Sequence, residues 1–442
     1  MKSVIRLHCL FKLSFKRCNF ISAQCFREFS GILGIETSCD DTGVAILDVD
    51  GNILGEKVAS QTSLSVMLGG VLPSVAAELH RSNIEDTTRS VFAQSKLRRE
   101  DIDSVAVTVK PGMPLSLKIG LVYAKEFAIQ YRKPIIPIHH MEAHALTAML
   151  TNRSLTYPFL VLLLSGGHCL LALARGLEDF ILLGTSLDAS PGDILDKIAR
   201  RLKLSRLGDS RLKTVCGGRA IELMAAEPSA DPRAFDLPFP RSQDRDCDFS
   251  FSGIHVAAEH VIKSSEKEVS DRTGSSSLPL DVIANICASV QYSLLRLIGR
   301  RVQRAIEFLM SSVLSTAPAV PLLQQLPKSM VISGGVAANT VIRNGLSEVV
   351  QHYGMDLVAP PPRLCTDNGV MIAWRVLNGL LLRQAGSRVV NDPSTIDFQP
   401  RCPFGIDCRA LVREANIKIK PIKFSDSVFH SNPVQSTRAQ SA

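Results

Sequence analysis

Aromatic residues are scarce in this 442-residue sequence, at 5% of the chain with a single tryptophan. A protein that binds single-stranded nucleic acid through rows of stacked rings needs many more, so that class is excluded. Neither G-x-x-x-x-G-K-[ST] nor G-x-G-x-x-G occurs, which excludes the P-loop and Rossmann types of nucleotide site. The strongest apolar run, Phe159–Leu164, is far shorter than the roughly 18 residues of a spanning helix, so we expect no membrane span.

Cysteine pairing motifs are also missing. The chain has 11 cysteines, an odd number, and no C-x-x-C pair. Several stand alone in apolar or small-residue stretches, as Cys39, Cys169 and Cys287 do, which is typical of buried small residues. A disulfide framework is therefore not expected, and a reducing compartment fits.

Acidic residues are nearly absent from residues 1–30, which contain six lysines and arginines but a single acidic residue, Glu28. The segment also carries serines and apolar residues between its cations, which is typical of an organelle transit peptide. We predict a mitochondrial transit peptide over residues 1–30 and a location in the mitochondrial matrix. The alternative is a disordered basic N-terminus on a cytosolic protein.

Apolar strands and helical patterns alternate along the rest of the chain, which predicts an α/β fold. A pattern of strand, small polar turn and strand occurs at 31–48 and again at 159–175, which indicates an internal duplication. We predict an N-terminal lobe over 31–150, a C-terminal lobe with a helical insertion over 151–385, and a partly loose extension over 386–442. A helical pattern over 281–310 is predicted to break near Gly299.

The sharpest local motif is HHMEAH at 139–144, between a predicted strand and a predicted helix. His140 and His144 are four residues apart, so both imidazoles can reach one metal ion from one face of the helix. Glu142 lies about 200° around the helix from His140, unlike the glutamate of the H-E-x-x-H metalloprotease motif. Asp367 is the best candidate for a third ligand. The alternatives are histidines that only pack the helix and an aspartate that only caps one.

Two Ser-Gly-Gly turns follow apolar strands, at Ser165–Gly167 and Ser333–Gly335. Glycine lets consecutive backbone N–H groups approach phosphate oxygens closely, and a following helix would add its N-terminal dipole. A tight turn explains either motif singly about as well. Both together favour a phosphate site.

Acidic residues gather after the first strand, at Glu36, Asp40 and Asp41. Such a cluster can orient metal-bound phosphate or supply a base, although a turn capped by aspartate explains it equally. Basic residues form two clusters that could follow an RNA backbone or simply be solvated: Lys197, Arg200, Arg201, Lys203, Arg206, Arg211 and Lys213, and Arg296, Arg300, Arg301 and Arg304.

Taken in order, these segments resemble the tRNA N6-adenosine threonylcarbamoyltransferases. The matching stretches cover roughly residues 31–405: GIETSCDDTGVAI (34–46), KPGMPLSLKIG (110–120), HHMEAH (139–144), LLSGGH (163–168), GDILDKIAR (192–200), DFSFSG (248–253), SGGVAAN (333–339), CTDNGVMIA (365–373) and QPRCPFG (399–405). Departures from the common bacterial pattern, such as Lys110, Cys169 and Cys216–Arg219, look like the mitochondrial branch.

The resemblance implies a duplicated actin-like, sugar-kinase-like ATPase fold with two lobes around a nucleotide and metal cleft. It implies that His140, His144 and Asp367 hold one divalent metal, iron or zinc. The implied nucleotide contacts are Leu163, Leu164, Ser165, Gly166, Gly167, Asp196, Gly218, Glu222, Ser333 and Asn339.

The implied reaction moves a threonylcarbamoyl group from threonylcarbamoyl-AMP to N6 of the adenosine at position 37, in tRNAs that read codons beginning with A. Glu36 and Asp40 are the candidate bases. The resemblance further implies a homodimer and a separate synthase that supplies the adenylate. Three rival functions are a metallopeptidase, a small-molecule kinase or chaperone-type ATPase, and a non-enzymatic RNA-binding scaffold with a relict nucleotide site.

Overall fold

The structure is a computed structural model, and it describes residues 29–68, 70–274, 277–311, 325–381 and 389–429. The predicted transit peptide lies outside the described residues, apart from its last two positions. The chain divides into two units, one of residues 1–150 and 367–403 and the other of 151–366 and 404–442.

Strands and helices are numbered here in chain order. The strands are β1 (Ile32–Glu36), β2 (Thr42–Leu47), β3 (Ile53–Ala59), β4 (Ser104–Lys110), β5 (Ile135–His139), β6 (Phe159–Leu164), β7 (Cys169–Ala174), β8 (Phe180–Thr185), β9 (Ser329–Ser333), β10 (Asp356–Val358) and β11 (Ile406–Asp407). The α-helices are α1 (Thr62–Leu68), α2 (Pro73–Ser95), α3 (Pro114–Tyr131), α4 (His140–Leu146), α5 (Ala148–Thr151), α6 (Pro191–Arg201), α7 (Gly217–Ala225), α8 (Ser252–Thr273), α9 (Leu280–Met310), α10 (Thr340–Gln351), α11 (Pro362–Cys365), α12 (Gly369–Leu381) and α13 (Arg409–Ala415).

The sheet of the first unit has the order β3-β2-β1-β4-β5. β1, β2 and β3 alternate in direction, whereas β4 and β5 run parallel to β1. Residues of β1, β2 and β4 are almost wholly buried and apolar, as expected for strands with helices on both faces.

The sheet of the second unit repeats this arrangement as β10-β9-β6-β7-β8, with the short β11 added beside β8. Its strand directions are the same: β6, β7 and β8 alternate, and β9 and β10 run parallel to β6. The repetition confirms the predicted duplication and the predicted actin-like fold class.

The segment after Asp367 belongs with the first unit, whereas the sequence pattern had placed residues 367–385 in the second lobe. Helix α12 packs on β1 and β2 through glycines on both sides. A Cβ at Gly34 would lie 2.3 Å from the carbonyl oxygen of Gly369, and one at Gly43 would lie 2.8 Å from its nitrogen. This close backbone approach leaves no room for larger side chains, and hydrophobic periodicity cannot reveal it.

The C-terminal part of the chain differs from the loose extension that was predicted. Residues 404–429 belong to the second unit, where Cys408, Val412 and Val428 are buried. The pattern was misleading because this segment contributes only isolated apolar residues to an existing core, without a period of its own.

Helix α9 runs without interruption from Leu280 to Met310, so the predicted break at Gly299 is wrong. A Cβ on Gly299 would lie 2.9 Å from Cζ of Phe424, so this glycine makes room for an aromatic ring. By length and composition α9 is the one described helix that could cross a membrane, but 78% of its apolar window is buried within the protein. That burial is typical of a core helix.

Candidate functional site

Three side chains of the first unit converge on one point. His140 and His144 lie one turn apart on α4, and Asp367 lies two residues before α12 begins. The Asp367 Oδ1 atom lies 3.0 Å from Nε2 of His144 and 3.6 Å from Nε2 of His140. One ligand atom from each residue falls within 4.8 Å of the other two, which is the spacing of a metal site. The structure therefore brings all three predicted metal ligands together.

Glu36 and Ser38 fix the orientation of the His140 ring through its Nδ1 atom, which is the ring nitrogen that does not face Asp367. Its Nδ1 atom lies 3.1 Å from the Oε2 atom of Glu36 and 3.1 Å from the Oγ atom of Ser38. If Nδ1 carries the proton that is donated to Glu36, Nε2 presents a lone pair towards Asp367. A carboxylate behind a ligand histidine is the usual means of fixing its tautomer and raising its basicity.

Glu36 is fully buried, and both of its carboxylate oxygens are occupied. One accepts a hydrogen bond from the backbone N–H of Ser38 at 2.5 Å, and the other accepts from the Thr108 hydroxyl at 2.5 Å as well as from His140. Burial raises its pKa, but the charge and hydrogen bond of His140 outweigh burial and hold the pKa below its ordinary value. This geometry favours a positioning role for Glu36 over the role of base.

His140 shows the reciprocal effect. Burial lowers the pKa of its imidazole, but the nearby carboxylates of Glu36 and Asp367 raise the pKa to about 9. A buried site that holds a proton this firmly is a site of strong negative potential, and a divalent cation would gain from the same potential.

The residues fit a divalent metal. Two imidazole nitrogens and a carboxylate oxygen suit iron or zinc, and three protein ligands leave coordination positions open for a substrate oxygen. Asp367 keeps 20% of its side-chain surface exposed, whereas His140 and His144 keep 5% each. The open side of the site is therefore at Asp367.

The turn between β1 and β2 is held by His80 of α2. One ring nitrogen of His80 lies 2.7 Å from the Thr42 hydroxyl and the other lies 2.9 Å from the carbonyl oxygen of Cys39. Asp40 is half-buried and accepts a hydrogen bond from the Ser65 hydroxyl at 3.1 Å. In the neighbouring Asp41, burial raises the pKa to about 7.

Glu142 makes an ion pair on the far side of α4. Its Oε2 atom accepts a hydrogen bond from the Arg375 guanidinium of α12 at 3.0 Å, and both side chains are almost completely buried. The same two helices are joined by the Trp374 indole N–H, which donates to the carbonyl oxygen of Leu146 at 2.8 Å. Glu142 thus connects the helix of the two histidines to the helix that follows Asp367. It does not face the three ligands, so the H-E-x-x-H mode of water activation has no glutamate here.

The first Ser-Gly-Gly turn lies between β6 and β7 in the second unit. The Ser165 hydroxyl accepts hydrogen bonds from the backbone N–H groups of Gly167 and His168, at 3.3 and 2.9 Å. The Ser190 hydroxyl, at the N-terminus of α6, donates to the carbonyl oxygen of Gly166. A Cβ on Gly166 or Gly167 would meet no atom within 4 Å. The fold therefore does not need these glycines, and the space they leave open can admit a ligand.

The second Ser-Gly-Gly turn, Ser333–Gly335 after β9, differs from the first because the fold requires one of its glycines. Gly334 has φ of +97°, and a Cβ there would lie 2.3 Å from the carbonyl oxygen of Leu164. This glycine is required by the packing of β9 against β6. Ser333 is fully buried before it, and Leu163 and Leu164 are buried in β6.

The remaining predicted contacts form a connected set around α7 and α10. Asp196 accepts a hydrogen bond from the backbone N–H of Gly218 at 3.2 Å, and burial raises its pKa. Glu222 accepts from the backbone N–H of Thr340 at 2.7 Å. Asn339 caps α10 by accepting from the Ile342 N–H, and its amide donates to Gln291. Asn339 is thus largely committed to the fold.

Sequence reasoning missed four residues that support the first-unit site, namely Ser38, His80, Thr108 and Arg375. Each lies far from the ligand motif in sequence or on another element, and each acts through a side-chain contact. Only His80 had a detectable signal, as a histidine inside the apolar face of α2.

The fold and these sites define a duplicated α/β enzyme, with a candidate metal centre in its first unit and a glycine-lined turn in its second. Residues 52–374 match the family model of the tRNA N6-adenosine threonylcarbamoyltransferases. The chain is 44% identical over 395 residues to the mouse mitochondrial tRNA N6-adenosine threonylcarbamoyltransferase, covering 89% of this chain and 91% of that protein. The human mitochondrial enzyme is also 44% identical, with 89% and 90% covered.

A probable mitochondrial member from Drosophila melanogaster is 40% identical, with 90% of this chain and 94% of that protein covered. The chain belongs to the tRNA N6-adenosine threonylcarbamoyltransferase family. It is therefore a transferase, and its location is the mitochondrion.

Proposed function

We propose that this protein transfers the threonylcarbamoyl group of threonylcarbamoyl-AMP to N6 of the adenosine at position 37 of mitochondrial tRNAs that read codons beginning with A. The observation that carries the proposal is the meeting of His140, His144 and Asp367, backed by Glu36, in a chain of this family. The matrix is the proposed compartment, since the tRNAs are there.

The proposed reaction is an acyl transfer. The exocyclic N6 attacks the carbamoyl carbon, a C–N bond forms, and the C–O bond to the phosphate breaks. AMP leaves with the electron pair, and the amine proton passes to a base. A divalent metal held by the three ligands, iron or zinc, would supply positive charge to a substrate oxygen.

The chain's own residues orient the donor. Glu36 and Ser38 hold His140 in one orientation, and Glu142 with Arg375 fixes α4 against α12. In the second unit, the open turn at Gly166 and Gly167 suits the phosphate of the adenylate, because no Cβ atom keeps a phosphate oxygen away from the backbone there. Leu163 to Gly167, Asp196, Gly218, Glu222, Ser333 and Asn339 are the proposed nucleotide contacts.

Asp40 is the proposed base, since Glu36 is buried and occupied whereas Asp40 keeps partial exposure. An Asp40→Asn variant should bind the adenylate normally and lose most of its transfer rate, by about 100-fold or more. Asp41→Asn is the matched comparison. If Asp40→Asn keeps full transfer activity, Asp40 is not the base.

A homodimer and a separate synthase that supplies threonylcarbamoyl-AMP complete the proposal. Light scattering of the purified protein should give twice the mass of one chain. Transfer should need no nucleoside triphosphate when threonylcarbamoyl-AMP is added directly.

The function is tested in cells that lack this protein, by nucleoside analysis of their mitochondrial tRNA. We expect N6-threonylcarbamoyladenosine to disappear from mitochondrial tRNA and to return with the wild-type gene but not with His140→Ala. Unchanged levels would overturn the proposal. Peptidase activity that depends on His140 would favour the metallopeptidase alternative instead, although Glu142 is turned away from the ligands.

A further inference from the structure

The four arginines of the basic cluster on α9 have two different roles. Arg301 is buried and donates hydrogen bonds to the carbonyl oxygens of Arg241, Asp244 and Asp246. Arg304 is also buried and donates to the carbonyl oxygen of Asp246. These two arginines hold the loop before α8, and they are not available to a partner.

Arg296 and Arg300 are half-exposed, and neither makes an ion pair with a carboxylate of the described residues. Each guanidinium lies over an aromatic ring instead, Arg296 at 5.5 Å from the centre of the Tyr292 ring and Arg300 at 4.2 Å from that of Phe239. The rings hold both cations in place without neutralising them.

The extended segment after α13 packs along the part of α9 that contains Gly299 and Gln303. The Gln303 amide donates to the carbonyl oxygen of Lys420 at 2.9 Å, and the Phe424 ring lies against Gly299. The apolar residues of the segment, such as Ile422, are packed against the core. Its lysines, Lys418, Lys420 and Lys423, are exposed.

The lysine strip is defined here as Lys418, Lys420, Lys423, Arg296 and Arg300. None of the five has an ion-pair partner among the described residues, and the sequence outside them contains a single acid, Glu28. Three carboxylates of the same region contact other groups, and Glu348 accepts a hydrogen bond from the backbone N–H of Ser425 at 3.1 Å. Glu307 accepts from the Tyr353 hydroxyl, and Asp426 pairs with Arg233.

In the other basic cluster, around α6, three of the seven cations are paired with carboxylates. Lys197 pairs with Asp193 at 2.7 Å, and Arg201 pairs with Glu266 at 2.6 Å and Glu259 at 3.2 Å. Arg211 pairs with Asp209 and Glu227. The other four, Arg200, Lys203, Arg206 and Lys213, are exposed but are distributed over α6 and the short helical turns after it, whereas the three lysines of the strip follow one another along a single segment.

We propose that the lysine strip binds the phosphate backbone of the tRNA substrate. The proposal rests on the proposed function, which makes tRNA the acceptor. Cations spaced along an extended segment suit a polyanion, and contacts to phosphate set position without reading sequence. An anionic membrane is the less favoured partner, because the apolar residues of the segment face the core and none of them is among the exposed large hydrophobic residues.

The test is the binding of an unmodified mitochondrial tRNA transcript by the full-length protein over a range of salt concentrations. The variant carries Lys418→Ala, Lys420→Ala and Lys423→Ala. The matched control carries Lys263→Ala, Lys267→Ala and Lys328→Ala, three exposed lysines of the same unit that lie outside the strip. Both triple variants change the net charge equally.

We expect the strip variant to bind tRNA tenfold to about 100-fold more weakly at physiological salt. The slope of log K against log salt should fall by about 2 to 3, since each lost phosphate contact removes close to one unit. The control should bind within about twofold of wild type. Unchanged melting temperatures would show that both variants fold, as expected for exposed side chains.

Two outcomes would overturn the proposal that the lysine strip binds tRNA. In the first, the wild type binds tRNA and the strip variant binds it equally well. In the second, the variant loses binding only to vesicles of phosphatidylcholine with anionic cardiolipin, which would assign the strip to a membrane surface. A wild-type protein that binds no tRNA at all would instead contradict the proposed function, so the two failures are distinguishable.

Discussion

The two units of this protein share one topology but use the same hairpin in different ways. Between β1 and β2 the turn carries acidic side chains and is held by His80, and the last residue of β1, Glu36, supports a metal ligand. Between β6 and β7 the corresponding turn is Ser-Gly-Gly-His and presents bare backbone to open space. One hairpin carries charged side chains, and the other carries two glycines with open space beside them.

This difference shows how a duplicated fold can divide its chemistry. Side-chain carboxylates and imidazoles bind a cation, whereas backbone N–H groups without Cβ atoms bind an anion. We propose that the same strand order supports a cation site in the first copy and a phosphate site in the second.

Removal of a metal ligand should abolish the function of the first-unit site. His144→Ala should lose bound metal and reduce transfer by about 1,000-fold or more, since several kcal/mol of charge stabilisation disappear. His352→Ala, which replaces an exposed histidine of the second unit, is the control and should keep its metal. Metal content measured by mass spectrometry checks both. A His144→Ala protein with full metal content would show that the three residues are not the site.

Loss of the ion pair between Glu142 of α4 and Arg375 of α12 should destabilise the first unit. Glu142→Gln leaves the buried Arg375 guanidinium without this carboxylate, which costs about 3 to 5 kcal/mol in comparable cases. The double variant Glu142→Gln with Arg375→Met should recover part of that loss. Urea unfolding measures both, and an unaffected Glu142→Gln protein would contradict the role of this pair.

The glycines of the second unit should separate into two kinds. Gly166→Ala should leave stability unchanged but weaken adenylate binding by about tenfold, because the added methyl group fills the open turn. Gly334→Ala should destabilise the protein by about 1 to 3 kcal/mol, because of its positive φ and its contact with Leu164. Equal effects of the two changes on stability would remove the distinction.

The stability of the metal-free protein should depend on pH through His140. Its pKa is raised from 6.5 to about 9, so its contribution is complete below pH 6.5 and is lost as pH rises through 9. Glu36 has a lowered pKa, so its contribution is present above its ordinary value of 4.5. The melting temperature should therefore fall between pH 6.5 and 9.5 after chelation, and less so with zinc. A flat profile in the metal-free protein would contradict the raised pKa.

Much of the fold could be predicted from the sequence, because β1, β2, β6 and β7 are short apolar runs bounded by polar turns. The duplication was visible in the same pattern. The position of α12 could not be predicted, because it depends on the backbone contacts of Gly34, Gly43 and Gly369. Gly299 was misinterpreted for a related reason, since a glycine that admits a distant ring looks like a helix breaker.

The meeting of His140, His144 and Asp367 could be predicted from motif spacing and family resemblance, whereas the residues that support them could not. Ser38, Thr108 and Arg375 act through side-chain contacts that span at least 72 residues, for Thr108 with Glu36, and as many as 233, for Arg375 with Glu142. The basic clusters show the same limit. Only the structure separates the buried Arg301 and Arg304 from the available lysine strip.

We propose that His140, His144 and Asp367 hold a metal that serves threonylcarbamoyl transfer to tRNA, and this role can be tested in a reconstituted reaction. It is tested most directly with purified protein, unmodified mitochondrial tRNA and synthetic threonylcarbamoyl-AMP, by measuring N6-threonylcarbamoyladenosine at position 37. We predict that the metal-loaded protein forms this nucleoside and that the His140→Ala protein and the chelated protein do not. Product formation at the wild-type rate by the His140→Ala protein would contradict the account.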